Sequence, residues 1–172
     1  MKKALVFIGP QFDDREFTYP YYRLREAGFE VDVAGAEAGE YKGKTEFKFK
    51  ADIPFSEARE EDYAVLVIPG GYAPDKIRTE PRALDLVRAF KKAGKPIGMI
   101  CHAGWVAASA GVLEGVRLTS TKAIKDDLVN AGAKWEDAEV VVDGGFVTSR
   151  NPDDLPAFMK ALLGELEGQP RA

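Results

Sequence analysis

Three short apolar runs constrain the fold of this chain. Residues 4–8 (ALVFI), 63–68 (YAVLVI) and 96–100 (PIGMI) lack the polar alternation of a half-exposed strand. Such runs are typical of strands covered on both faces in a parallel sheet. Between them, residues 16–27 and 80–93 carry apolar side chains at helical spacing, and a glycine follows each segment. The alternation predicts an α/β fold, a three-layer sandwich with a mostly parallel central sheet.

The remaining elements fit around this frame. We expect strands at 29–34 and 116–120, helices at 104–110, 124–131 and 153–166, a small peripheral hairpin within 41–52, and a second hairpin whose strands, 139–143 and 146–149, flank two glycines. Pro20 should begin or kink the first helix. The length of 172 residues predicts a single domain over residues 1–167, with a frayed tail at 168–172.

Composition excludes several classes of partner. The net charge of −4 argues against binding to nucleic acid, which needs a basic field. No apolar run is long enough to span a bilayer, and the run at the start of the chain is too short for a signal peptide. A single cysteine cannot form an internal disulfide, so a reducing compartment fits best. We therefore expect a cytoplasmic protein with no membrane partner.

The chemistry-bearing residues follow the buried strands. Cys101 and His102, the one cysteine and the one histidine of the chain, come directly after residues 96–100. The other two strands are followed by Asp13 and by Gly70 and Gly71. In parallel sheets, ligands bind beyond the carboxyl ends of the strands, so these loops should meet at a site.

Each of these residues has a chemical and a plain structural interpretation. A cysteine at a strand-to-helix turn lies near the start of a helix, which favours the negatively charged thiolate. This position would lower the pKa of Cys101 and make it a nucleophile. His102 could shuttle protons or could be structural. Gly71 and the His102 amide could form an oxyanion hole, or the glycines could make a tight turn. Asp13, with a raised pKa beside the thiolate, could act as an acid or base, or it could cap a helix.

Asp14 and Glu16 are interpreted as structural residues, and no metal site is predicted. Asp14 and Glu16 are expected to be solvated or to cap the helix. One cysteine beside one histidine leaves too few ligands for a metal, so no metal is expected.

Several motifs in order resemble the ThiJ/PfpI superfamily, and within it the PfpI-like branch. They are FDDRE (12–16), YPYYRL (19–24), VIPGGYAPD (67–75), GKP (94–96), ICH (100–102), SAGVL (109–113), IKDDLVNAGAKW (124–135) and SRNP (149–152). The resemblance covers nearly the whole chain. It implies a flavodoxin-like, class I glutamine-amidotransferase-like sandwich that forms a homo-oligomer, either a dimer or a hexamer.

The resemblance also implies roles for individual residues. Cys101 would be the reactive cysteine and Asp13 the acid facing it, a position that is glutamate in many relatives. Asp75 would reach His102 of a neighbouring subunit in hexameric members and orient it. Gly70, Thr121 and Arg150 are expected to contact the substrate.

Three departures from the family pattern concern substrate choice. Ala103 and Gly104 stand where relatives carry Gly-Pro, and Thr121-Lys122 replaces an aromatic-Pro pair. Asp13 is one methylene shorter than glutamate, which limits its reach towards Cys101.

The resemblance implies an enzyme without cofactors that attacks reactive carbonyls through Cys101, as a glyoxalase or a deglycase that repairs glycated groups. The first alternative is an intracellular cysteine peptidase whose Cys-His-Asp site is built across subunits. The second is a non-enzymatic stress protein that senses oxidants through the same thiol.

Overall fold

The computed structural model describes residues 2–168. Its strands are β1 (Lys3–Phe7), β2 (Glu30–Gly35), β3 (Gly39–Lys42), β4 (Lys48–Ala51), β5 (Ile53–Pro54), β6 (Val65–Ile68), β7 (Ile97–Ile100), β8 (Arg117–Leu118), β9 (Lys134–Trp135), β10 (Val141–Asp143) and β11 (Phe146–Ser149). Its α-helices are α1 (Asp14–Glu26), α2 (Ala73–Ile77), α3 (Pro81–Lys92), α4 (Gly104–Ala110), α5 (Lys125–Asn130) and α6 (Leu155–Glu167).

The central sheet has the order β10-β11-β7-β6-β1-β2-β5. Its pairs are parallel except β10 with β11. In chain order, the five main strands β1, β2, β6, β7 and β11 give the spatial order 2-1-3-4-5, which is the flavodoxin-like arrangement. The predicted fold class is confirmed. The strand order reverses between β1 and β6, so ligand chemistry is expected beyond the carboxyl ends of these strands.

Helices cover both faces of the sheet. Helix α1 packs against α6, and α3 packs against α4. The four residues of β6 and the four of β7 are all buried, as their uninterrupted apolar sequence predicts. None of the helices described within residues 2–168 is long and apolar enough to cross a membrane.

Several peripheral elements differ from expectation. Hairpin β3–β4 forms a separate two-stranded sheet, as predicted, but the β10–β11 hairpin belongs to the central sheet because β11 pairs with β7. Helix α1 runs through Pro20, so the expectation that Pro20 begins the regular helix is wrong. Of the expected frayed tail, Gly168 caps α6 and residues 169–172 lie outside the described residues.

Candidate active site

Cys101 stands at a sharp turn between β7 and α4. A single 3₁₀ turn, Cys101–Ala103, joins the two elements. The φ of Cys101 is +62°, a left-handed conformation that non-glycine residues rarely adopt. Such strain on a strand-to-helix turn is the geometry of a nucleophile elbow. The predicted strand-turn-helix context of the thiol is confirmed.

The loops after β1, β6 and β7 meet, as expected from the sheet. Asp13 N–H donates to the Gly70 carbonyl at 3.2 Å, and Tyr72 N–H donates to the Gln11 carbonyl at 2.9 Å. A Cβ built on Gly70 would collide with Glu16 Oε1 and would lie 2.8 Å from Cys101 Cβ. Position 70 therefore has to be glycine for the carboxyl group and the cysteine to approach each other.

The Cys101 sulfur is surrounded by hydrogen-bonding groups. His102 Nδ1 lies 3.2 Å from Sγ, so the neighbouring side chain does reach the thiol within one chain. The backbone N–H groups of His102 and Gly71 are also directed at the sulfur. These are the two amides expected to form an oxyanion hole, and they lie at the reacting atom.

The expected low pKa of Cys101 is wrong. Burial, the charge of Glu16 and, to a smaller extent, that of Asp13 raise the pKa of the thiol to about 12, although the His102 and Gly71 amides lower it. Helix α4 is only seven residues long and begins after the 3₁₀ turn. The resting site therefore favours the thiol, and a base has to take its proton during attack.

Glu16 is the carboxyl group beside the cysteine, which corrects the expectation that it is solvated. It is 0% exposed, and its Oε1 accepts a hydrogen bond from Gly70 N–H at 3.0 Å. Its Oε2 is buried without a hydrogen-bond partner among residues 2–168. Burial and the charge of Asp13 raise the pKa of Glu16 to about 8, although the Gly70 N–H, Lys44 and Arg15 lower it. Near neutral pH, Glu16 therefore carries a proton that it can donate.

The helical spacing of α1 contains the signal that could have revealed Glu16. The buried residues of this helix are Glu16, Phe17, Pro20 and Leu24. Residues 16, 20 and 24 repeat every four positions, which places them on one face. A glutamate in the buried stripe, within one turn of the loop that meets Cys101, is a candidate for chemistry rather than solvation.

Asp13 caps α1 instead of facing the thiol with a raised pKa. Its side chain accepts from the N–H groups of Arg15 at 3.0 Å and Glu16 at 3.2 Å. Burial raises the pKa of Asp13, but these bonds and the Arg15 guanidinium outweigh it and lower the pKa overall. The expectation of a raised Asp13 pKa is wrong because α1 and Arg15 stabilise the carboxylate. Asp13 remains ionised and fixes the start of the helix that carries Glu16.

The His102 ring is held between the thiol and Trp105. The ring centroids of His102 and Trp105 are 5.1 Å apart. Burial and the charge of Lys44 lower the pKa of His102, so the imidazole is neutral at pH 7. A neutral imidazole 3.2 Å from the sulfur can accept the thiol proton.

The other predicted site residues lie around this centre. Thr121 N–H donates to the Cys101 carbonyl at 3.1 Å, and Thr121 and Arg150 line one cavity of about 300 Å³. Arg150 already pairs with Asp154 and Asp137, each at 2.9 Å, so its contact with a substrate stays a prediction. Asp75 is exposed in the first turn of α2. Residues 2–168 contain no group of three or more acidic, histidine or cysteine side chains that could hold a metal ion.

We predict that Glu16→Gln changes how stability depends on pH. The pKa of Glu16 is about 8 in the folded chain against an ordinary 4.5, so between these values the folded state keeps a proton that the unfolded chain has lost. Stability therefore falls as the pH rises through this window. Glutamine cannot ionise, so the variant should melt about 10 °C higher than the wild type at pH 9 and within 1–2 °C of it at pH 4.

Glu165→Gln is the matched control, because Glu165 is exposed on α6. It should follow the wild-type melting temperature at both pH values. A Glu16→Gln difference of the same size at pH 4 and pH 9 would show that Glu16 does not hold its proton in the folded chain.

Known proteins resemble this chain over nearly its whole length. The DJ-1/PfpI family matches residues 2–165. A deglycase of Pyrococcus horikoshii is 45% identical over 161 residues, 94% of this chain and 97% of that protein. Protein/nucleic acid deglycase 2 of Escherichia coli is 42% identical over 165 residues, 94% of this chain and 96% of that protein. A two-domain protein of Anabaena variabilis with DJ-1/ThiJ/PfpI-like and ferritin-like domains has a solved structure that is 38% identical, with a TM-score of 0.95 over 97% of this chain and 48% of that chain.

Proposed function

The chain belongs to the DJ-1/PfpI family, and on this basis we propose that it is a cofactor-free enzyme that attacks reactive carbonyls through Cys101. Its substrates would be α-oxoaldehydes such as methylglyoxal and the early adducts that they form with amines. The observation that carries the proposal is the strained Cys101 turn, with His102 Nδ1 3.2 Å from the sulfur and the buried Glu16 beside it.

The geometry supports thiol addition to an aldehyde as the first step. The sulfur bonds to the aldehyde carbon of methylglyoxal while His102 accepts the thiol proton. The carbonyl oxygen of the aldehyde gains the electron pair and is protonated, which gives a hemithioacetal. The Gly71 and His102 amides, which lower the pKa of the Cys101 thiol, are the groups that would donate to this oxygen.

Glu16 suits the proton transfers that follow. With a pKa of about 8 it exchanges a proton readily near neutral pH. In its ionised form it removes the proton from the former aldehyde carbon to give an enediol, and it then returns a proton to the adjacent carbon. The product of these transfers is a lactoyl thioester of Cys101. Water hydrolyses the thioester, so that methylglyoxal and one water become lactate and the thiol is regenerated.

The same first step serves an early glycation adduct. A hemiaminal of methylglyoxal on an amine releases the aldehyde to the thiol, and the free amine leaves. The deglycase and the glyoxalase reactions therefore share Cys101, His102 and Glu16.

The test measures lactate formed from methylglyoxal before and after the protein is alkylated with iodoacetamide. Cys101 is the one cysteine of the chain, so alkylation at neutral pH reports on this thiol. We expect lactate from the untreated protein and no more than background after alkylation. No lactate from the untreated protein, or the same rate after alkylation, would overturn the proposal.

We propose further that the active form is a cytoplasmic homo-oligomer in which Asp75 of one subunit orients His102 of another. The exposure of Asp75 leaves it free for this contact. A carboxylate behind the imidazole would favour the tautomer that accepts the thiol proton. This arrangement would also complete a Cys-His-Asp site for the peptidase alternative.

Asp75→Asn should therefore lower kcat for methylglyoxal about tenfold to a hundredfold. Removing the carboxylate should also lower the His102 pKa and move the acidic limb of the pH profile to lower pH. The measurement is kcat against pH, with the molecular mass of each variant followed by light scattering. Asp85→Asn, an exposed aspartate paired with Arg88 on α3, is the control. A stable monomer with the full wild-type rate would contradict the role of Asp75.

A further inference from the structure

Lys44 is a cation held beside the loops that form the active site. It follows β3 in the turn of the β3–β4 hairpin, and its N–H donates to the Phe12 carbonyl at 3.0 Å. Gly43, just before it, forms a bridge with Phe12. The backbone of Lys44 is therefore fixed to the loop that leads into Asp13 and α1.

The ammonium group of Lys44 lies close to one residue from each of two of these loops, those after β1 and β6. Its Nζ lies 3.6 Å from Asp13 Oδ2 and 5.4 Å from the centroid of the Tyr72 ring. Tyr72 directly follows Gly71, whose amide is directed at the Cys101 sulfur. The side chain of Lys44 is 38% exposed, so a ligand that enters from solvent can reach it.

The Lys44 ammonium shares its ion-pair partner with a second cation. Asp13 Oδ2 is shared with Arg15 Nη2, which is closer, at 3.3 Å, and donates a hydrogen bond to it. Glu16 is mostly protonated at pH 7 and adds little negative charge. The other carboxylate of this turn, that of Asp14, accepts a hydrogen bond from the Thr45 hydroxyl, so Asp13 is the one ion-pair partner of Lys44 among residues 2–168. The field of Lys44 also reaches the catalytic groups, because it lowers the pKa of both His102 and Glu16.

We propose that Lys44 is a specificity-determining residue that binds a carboxylate group carried by the carbonyl substrate. The inference rests on the proposed function, since it assigns a substrate class to the same site. The single positive charge of the ammonium, only partly offset by the Asp13 carboxylate that it shares with Arg15, matches a carboxylate better than a doubly charged phosphate. A flexible ammonium suits this task because it follows a charge without demanding a planar, two-point geometry.

The first test compares two alkylating agents of nearly equal size that differ in charge. Iodoacetate carries a carboxylate and iodoacetamide is neutral, and each forms a thioether with Cys101 and releases iodide. The second-order rate constants are measured at pH 7.5 by intact-protein mass spectrometry. The wild type should favour iodoacetate more than a neutral small-molecule thiol does, and Lys44→Met should lower the iodoacetate-to-iodoacetamide ratio about fivefold. Added potassium chloride should lower the wild-type ratio in the same direction.

Matched variants show whether the effect belongs to Lys44. Lys44→Arg keeps the charge and should keep the ratio. Lys48→Met removes a lysine of the same hairpin whose Nζ is also 3.6 Å from a carboxylate, that of Glu40, and should leave the ratio unchanged. A wild-type ratio in Lys44→Met, or an equal fall in Lys48→Met, would overturn the proposal. Stronger protection of Cys101 by inorganic phosphate than by acetate would overturn the choice of carboxylate.

Turnover gives the second test and separates the two proposals. Phenylglyoxal and 4-carboxyphenylglyoxal differ by one carboxylate, and glyoxalase chemistry converts them to mandelate and 4-carboxymandelate. Lys44→Met should lower kcat/KM about fivefold more for the carboxylated substrate than for phenylglyoxal, because any change in the His102 and Glu16 pKa values affects both substrates alike. An equal effect on both substrates would overturn the role of Lys44. If the wild type converts neither, the proposed function fails, and the alkylation ratio still decides the role of Lys44.

Discussion

Replacing Cys101 with serine should abolish conversion of methylglyoxal, with a fall in kcat/KM of at least about a thousandfold. Serine keeps the size and the hydrogen-bonding capacity of the side chain, but its hydroxyl is a far weaker nucleophile than a thiol. The neighbouring parts of the site also contact other groups, so they should stay in place: Glu16 accepts a hydrogen bond from Gly70, and the His102 ring packs at a tilt against Trp105. The measurement is the lactate rate together with the melting temperature.

The melting temperature serves as the control for this variant. A value within about 3 °C of the wild type shows that the loss of rate is chemical rather than structural. A folded Cys101→Ser variant that forms lactate at the wild-type rate would remove Cys101 from the mechanism.

The second large effect is on stability, at Gly71. The φ of Gly71 is +83°, and a Cβ at this position would collide with Asp13 N and lie 2.7 Å from Gln11 O and from Phe12 C. All three are backbone atoms of the loop after β1, so no side chain can move aside. Gly71→Ala should therefore destabilise the chain by about 3 kcal/mol, from left-handed strain and overlap together. The melting temperature should fall by about 10 °C.

Gly111→Ala separates these two contributions. Gly111 has a φ of +74° at the end of α4, but a Cβ there meets nothing within 4 Å. It should cost only the strain, about 1 kcal/mol. Equal destabilisation by the two variants would show that the loops after β1 and β6 are not in close contact.

The central sheet could be predicted because its strands are buried on both faces. Such strands have no polar side, so residues 4–8, 63–68 and 96–100 read as continuous apolar runs. Helix α4 was predicted with the bounds that the structure has, Gly104–Ala110. Helix α2 was missed because its five residues are too few to show a helical period.

Pro20 and β9 show where local sequence rules fail. Helix α1 begins at Asp14 and continues through Pro20. Near its start, the Thr18 hydroxyl donates a hydrogen bond to the Asp14 carbonyl at 2.6 Å. Packing of its buried face offsets the hydrogen bond that proline cannot make. Strand β8 lies within the expected strand 116–120. Strand β9 was missed because it has only two residues, and it pairs in parallel with β8.

The sequence predicts where the candidate site lies, but it does not predict that Glu16 is the carboxyl group beside Cys101. The three loops follow from the sheet, and Cys101, His102, Gly70 and Gly71 come together as expected. Glu16 was missed because adjacent acidic residues at a helix start usually cap it, and only Asp13 does so here. The capping residue Asp13 and the buried acid Glu16 are three positions apart. The helical period, rather than the residue type, therefore distinguishes their roles.

The central claim is that the Cys101 sulfur adds to the aldehyde carbon and that Glu16 then moves its proton. The most direct measurement is ¹³C NMR with methylglyoxal labelled at that carbon, using wild type, Glu16→Gln and Cys101→Ser. The wild type should turn the label into the lactate carboxylate. Glu16→Gln should accumulate a protein-bound hemithioacetal, and Cys101→Ser should show neither signal. Labelled lactate from Cys101→Ser, or lactate at the wild-type rate from Glu16→Gln, would contradict the account.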